Sequence, residues 1–293
     1  MGVIGVSTKE KLGGCKLNKL TVSIAALLIG LTPLIAVHAS TGEDVEALRA
    51  YYKKNAPNAN FSDYGNGIYA FDKDARTQWE EIEEFPPYEI AIDNGQEIWD
   101  KPFKNGKSFA DCFDPDVSKI RVKYPYHDEK LDTIVTLEGS INKCRTDNGE
   151  KAFKWKKGKL AAVSAYISYQ GRGQKIKVEP KTEKALAWYN KGKTFFYAKR
   201  GQLNLSCADC HIYSVGKWIR GDHLGPAIGH TSHMPIYRSK WGGLGTLHRR
   251  YGGCNKNIRA KPLKAQSDAY KALEYFEAVM SNGIELNGPG ARK

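Results

Sequence analysis

Apolar positions spaced three and four apart mark out the helices of this chain. From Ser267, a good helix cap, to the Asn282-Gly283 stop, Ala269, Leu273, Phe276 and Met280 fall on one face. The run Leu160 to Gln170 is largely apolar and is closed by Gly171-Arg-Gly173. A helix from Glu183 to about Lys199 sits behind Thr182 as its cap, and another is expected after residue 211. Glu43 to Tyr52 reads as a helix, followed by a stretch rich in Asn, Pro, Asp and Gly. Pro86-Pro87 stops any helix formed by the charged segment Gln78 to Glu84. The pattern predicts a mainly α fold with long loops.

Two stretches share a spacing. Gly95 precedes Trp99 by four residues and is followed later by Cys112; Gly192 precedes Phe196 by four and is followed by Cys207. Helices with small and aromatic residues so placed suit the first helix of a small cytochrome c. As an internal repeat the likeness is short, since amphipathic helices resemble one another.

The chain opens with Lys9, Lys11, Lys16 and Lys19, an apolar run from Leu20 to Val37, and the small-residue pattern Val37-His38-Ala39. This predicts a signal peptide over residues 1–39. Its core is short for a membrane span and is broken by Gly30 and Pro33, so no membrane anchor is expected after cleavage. The remaining 254 residues (293 − 39) have room for two small domains, placed at 40–155 and 156–293. The net charge of +13 falls to about +10 without the presequence, whose four lysines and one glutamate carry +3. No run of five like charges and no nucleic-acid motif accompanies it, so the basic residues solvate the surface or steer anions.

Five cysteines follow residue 39. In Cys207-Ala-Asp-Cys210-His211 two thiols three apart precede an imidazole, the pattern that attaches a c-type haem. One helical turn brings both thiols to one face, with His211 as the proximal iron ligand. A structural zinc site would need two further paired ligands, and only Cys254 is nearby. Cys112 and Cys144 are left to pair as a disulfide in an oxidising compartment. Cys112 is followed by Phe113 and no Cys-x-x-Cys-His, so a cytochrome-like first lobe would lack haem and be stapled instead.

The sixth iron position has several candidates: His223, His230, His233, Met234, His248, Cys254 and Met280. Met234-Pro235 resembles a familiar distal pair but lies only 23 residues past His211, whereas Cys254 lies 43 past it in a Gly-rich turn, Tyr251-Gly-Gly-Cys254. Spacing and cysteine count favour Cys254 without removing Met234. Arg249, Arg250, Lys256, Arg259 and Lys261 crowd that thiol, and a guanidinium there favours thiolate and can hold an oxyanion.

The segments Tyr166 to Gly173, Tyr197 to His211, Tyr237-Arg-Ser-Lys-Trp241, His248-Arg-Arg250, Gly253-Cys-Asn-Lys256 and Arg259-Ala-Lys-Pro262 resemble the SoxA family of sulfur-oxidising cytochromes. The resemblance implies two cytochrome c-like domains, a periplasmic location and a SoxX-like cytochrome partner. It implies oxidative coupling of thiosulfate to a cysteine of a SoxYZ carrier protein, with electrons passed to cytochrome c. Cys207 and Cys210 would hold one covalent haem c, with His211 and Cys254 as axial ligands. Cys254 would carry a catalytic persulfide, and Arg250 would bind substrate, with Arg249 as a helper. Members with a second haem carry it in the first domain; this chain resembles the single-haem branch, with Cys112 and Cys144 bridged. The competing expectation is a simple electron-transfer cytochrome c.

Overall fold

The computed structural model describes residues 41–292; the signal peptide expected over 1–39 lies outside the described residues. Helix α1 (Thr41–Asn55) is followed by a 3-10 segment, Phe61–Ala70, and by α2 (Lys73–Glu84), whose cap Asp72 accepts from the Ala75 amide. Helix α3 (Glu89–Asp100) begins just beyond Pro86-Pro87. The hairpin of β1 (Tyr126–Asp128) and β2 (Thr133–Val135) leads to α4 (Leu137–Asp147) and α5 (Lys159–Gln170). Helix α6 (Glu183–Tyr197) starts at Thr182, whose hydroxyl accepts from the Ala185 amide.

Five residues make α7 (Cys207–His211). The next α-helix is α8 (Leu247–Asn257), the helix expected beyond residue 211. Residues 212–246 between them form loops, a 3-10 turn at Ser239–Trp241 and short strands: β3 (Trp218–Ile219) with β4 (Asp222–His223), and β5 (Ile236–Arg238) with β6 (Gly243–Gly245). Helix α9 (Asp268–Met280) and β7 (Gly290–Arg292) end the described chain. Strand β7 runs parallel to β5, pairing Ile236 with Gly290, while β6 is antiparallel, pairing Ile236 with Gly245. The fold is mainly α, as the apolar pattern predicted. Helix α9 is buried almost all round rather than on one face, its residues from Tyr270 to Met280 nearly all lying in the interior.

The buried side chains gather into two clusters. One holds Ile92, Trp99, Phe109, Leu137, Ile141, Cys144 and the apolar length of α5. The other holds Tyr189 and Phe196 of α6, most of α9, and Tyr52, Ala208 and Met234. Each is built on one helix crossing, and each crossing has a glycine at its closest point. A Cβ on Gly95 of α3 would lie 2.2 Å from the Ala162 carbonyl oxygen of α5. A Cβ on Gly192 of α6 would lie 2.0 Å from the Ala272 carbonyl oxygen of α9. In both, the aromatic four residues on, Trp99 or Phe196, is buried at the same crossing, against Tyr166 at 6.0 Å and Phe276 at 5.2 Å. The short spacing seen in the sequence is therefore a shared packing device. Helix α5 supplies core side chains to the first cluster.

Cys112 and Cys144 form a disulfide, with Cα atoms 5.9 Å apart, joining the loop after α3 to α4. Among the described residues no helix is long and apolar enough to cross a membrane.

Candidate functional site

Helix α7 exists because its ends are satisfied locally. Ser206 accepts from the Asp209 amide at 3.1 Å, and the Asp209 carboxylate accepts from the Ser206 amide at 2.8 Å, a reciprocal cap. That single turn sets Cys207, Cys210 and His211 on the wall of a cavity of about 320 Å³. Tyr52 of α1 donates its hydroxyl hydrogen to the His211 carbonyl and accepts from the Ala227 amide at 2.9 Å, tying α7 to the loop after it.

The His211 ring is fixed by its Nδ1–H, which donates to the Gly225 carbonyl at 2.9 Å. The proton on Nδ1 leaves Nε2 with a free lone pair. Burial, and then His230, hold this imidazole well below its ordinary range, so it is neutral. His230 stands beside it, Nε2 3.2 Å from His211 Nδ1, and its own Nδ1 meets the buried Glu277 at 3.0 Å. Glu277 also accepts from Tyr251 of α8 at 2.6 Å.

Cys207, Cys210 and Cys254 are all unbridged. Burial, followed by Glu277, pushes Cys207 well above the ordinary thiol range; burial, followed by Cys254, raises Cys210. Two neutral, half-buried thiols are poor redox nucleophiles. Their wall of the cavity continues through Met234, Ile236, Leu247 and Leu273, apolar surface fit for a porphyrin face. Two attachable thiols, a neutral imidazole with a free Nε2 and this lining fit a covalently held haem c.

Cys254 lies on α8, not in a turn. Gly252 and Gly253 read as punctuation, but Leu247, Tyr251 and Asn255 bury one face of a continuous helix, and Asn255 bonds Tyr270 of α9 at 2.7 Å. On that helix Arg250 and Cys254 are one turn apart, and both line the cavity. Arg249 does not: it stacks on Trp241 at 4.1 Å and donates to the Leu244 carbonyl at 3.1 Å. Lys256, Arg259 and Lys261 also lie outside the lining.

Of the other distal candidates, His223, His230, His233 and Met234 line the cavity, while His248 and Met280 do not. His248 is held by the Gln266 amide at 3.0 Å and faces Glu274, and Met280 receives the Tyr189 hydroxyl at 3.6 Å. His233 Nδ1 meets the Gly65 carbonyl at 3.2 Å, and burial pulls the ring well below its ordinary range.

The sequence reading missed an acid and two cations. Asp222, on β4, bonds Arg238 of β5, Lys240 at 3.2 Å and Asn257 of α8 at 3.1 Å, with Arg250 at 4.0 Å. Arg238 and Lys240 stood in the quoted Tyr237-Arg-Ser-Lys-Trp241 segment without a role; Asp222 had no signal of its own.

The profile of the SoxA/TsdA cytochrome c domain matches residues 94–176, which span α3 to α5 and contain no Cys-x-x-Cys-His. The chain is 54% identical over 250 residues to the L-cysteine S-thiosulfotransferase subunit SoxA of Chlorobaculum tepidum, covering 85% of this chain and 87% of that protein. It is 47% identical to the subunit of the same name from Allochromatium vinosum, covering 93% and 97%. The crystal structure of SoxXA from P. pantotrophus superimposes with a TM-score of 0.69 at 30% identity, covering 77% of this chain and 86% of that one.

Proposed function

The chain belongs to the SoxA family, and from that premise we propose that it is the haem subunit of an L-cysteine S-thiosulfotransferase working with a SoxX-like cytochrome. The reaction joins thiosulfate to a carrier cysteine: R–SH + S2O3²⁻ gives R–S–S–SO3⁻, one proton and two electrons. The carrier is a SoxYZ-like protein, the electrons pass to cytochrome c, and the location is the periplasm.

The matching helix crossings of α3 with α5 and α6 with α9 support two cytochrome c-like lobes, the first held by Cys112–Cys144 in place of a cofactor. In the second, Cys207 and Cys210 would hold the single haem c covalently, and His211 and Cys254 would ligate its iron. When bound, the haem supplies an electron-transfer centre whose potential a thiolate ligand lowers.

The remaining chemistry belongs to the chain. Arg250 binds the anionic substrate and offsets the charge that develops during transfer. Cys254, one turn away, carries the persulfide sulfur that takes part in coupling. The observation that carries this reading is the placement of Arg250 and Cys254 on one face of α8, lining the cavity that holds Cys207, Cys210 and His211.

The test is reconstitution with the partner cytochrome and carrier, measuring thiosulfate-dependent mass gain on the carrier cysteine together with cytochrome c reduction. No carrier modification, with rapid reversible one-electron exchange intact, would return the chain to the class of simple cytochromes.

A further inference from the structure

Asp222 is a buried carboxylate, its side chain 7% exposed, set among Arg238, Lys240 and Arg250. Its four polar neighbours come from three separate segments: Arg238 from β5, Lys240 from the turn after it, and Arg250 and Asn257 from α8. Lys240 Nζ lies 3.2 and 3.4 Å from the two oxygens, Asn257 Nδ2 3.1 Å from Oδ2, and Arg250 Nη1 4.0 Å from Oδ2. Asp222, Arg238, Arg250 and Asn257 all line the cavity with Cys254. The two guanidiniums are close enough that Arg250 ranks directly after burial in pulling Arg238 below its ordinary value. Two buried or half-buried cations repel one another, and a carboxylate shared between them is what lets both stay. Asn257 fixes that carboxylate to the same helix that carries Cys254, three residues on.

We propose that Asp222 is a positioning residue that pairs Arg238 with Arg250 as a cradle for a sulfur oxyanion beside Cys254, and that it sets the cradle's charge. The two guanidiniums and the carboxylate leave a net charge of +1, to which the half-exposed Lys240 adds from outside the cavity lining, opposite in sign to a dianion such as thiosulfate. The carboxylate repels the substrate weakly and holds the guanidiniums in place strongly, so its two effects act on different kinetic parameters. This rests on the reading of Arg250 as a substrate residue.

Asp222→Asn keeps the shape and removes the charge. In the reconstituted holoenzyme complex it should lower the KM for thiosulfate several-fold, because the cradle gains one unit of positive charge, and lower kcat at least about tenfold, because the guanidiniums lose their common anchor. Asp222→Glu should restore both parameters toward wild type, and the haem-to-protein ratio should be unchanged in both. Arg250→Ala, run alongside, separates the two ideas. If it abolishes coupling while Asp222→Asn leaves kcat intact, or raises KM alone, the positioning role is wrong and the substrate role stands. If Arg250→Ala is neutral, the underlying reading fails. Haem loss from both Asp222 variants would assign the cluster to the cofactor and overturn the proposal.

Discussion

Arg250 and Cys254 leave α8 one turn apart on the side that lines the cavity, whereas Arg249, one residue away, turns its guanidinium onto Trp241. The two arginines are therefore expected to separate cleanly. Arg250→Ala should lower kcat/KM for thiosulfate by about 10²–10³, the usual cost of losing one oxyanion-stabilising group. Arg249→Ala should keep turnover near wild type and lose about 1 kcal/mol of stability with its aromatic contact. Steady-state rates and urea midpoints of both variants check this.

Cys254 is unbridged, so its sulfur is available for modification. Mass spectrometry of the peptide containing it should show the added mass of one sulfur atom in protein purified without reductant. Cys254→Ala should abolish carrier modification and alter the haem spectrum, while retaining covalent haem at Cys207 and Cys210. A Cys254→Ala protein with an unchanged spectrum would turn attention to Met234, which also lines the cavity.

What could be read from the sequence was what is local. The attachment motif, the Thr182 cap and the length of α5 are set by residues within a turn or two of one another. Helix α8 was misread because Gly252 and Gly253 signal a break, and the burial of Leu247, Tyr251 and Asn255 against distant α9 decides otherwise. Only the family resemblance set Arg250 apart from Arg249, because which of two adjacent side chains faces the cavity depends on the helix's orientation. Asp222 and Arg238 are 16 residues apart and meet only through the fold of the segment between them. The spacing of Gly95 and Gly192 was visible, but its meaning required the partner helices, which lie far along the chain.

Burial works against ionised Asp222, but Arg238, Arg250 and Lys240 outweigh it and hold its carboxyl down, from an ordinary 3.8 to about 2. A lowered folded value contributes stability that is complete above the ordinary value and is lost as pH falls through 4 toward 2. The shift corresponds to roughly 2 kcal/mol. Asp222→Asn should therefore cost about that much near neutrality, and the gap between variant and wild type should narrow as pH falls below 4 and close near pH 2. Urea unfolding of both proteins across that range measures it, and a gap independent of pH would mean the carboxylate's charge contributes nothing.

The Cys112–Cys144 disulfide spans 32 residues and belongs to the cluster built on α3 and α5. Replacing both cysteines with serine should cost about 4 kcal/mol by loop entropy. Because Cys207, His211 and Cys254 lie outside that cluster, the haem spectrum at low temperature should remain that of wild type. Thermal unfolding followed by circular dichroism and by haem absorbance would report the two effects separately.

The glycine crossings offer the sharpest stability test, because the same single-atom change can be made in both lobes. A Cβ at position 192 would stand 2.0 Å from the Ala272 carbonyl oxygen and 2.7 Å from Cβ of Phe276; at position 95 it would stand 2.2 Å from the Ala162 carbonyl oxygen. Neither helix can yield locally, since the obstacle is the backbone of its partner. Gly192→Ala and Gly95→Ala should each cost about 3 kcal/mol or more through forced separation of the helices, lowering Tm by roughly 6–12 °C. Their consequences should differ. Gly192→Ala disturbs the cluster that includes Cys207, Ala208 and Met234, so covalent haem content should fall with stability. Gly95→Ala disturbs the cluster closed by the disulfide, and haem content per folded molecule should hold. Equal haem loss in both variants would show that the two clusters unfold as one cooperative unit.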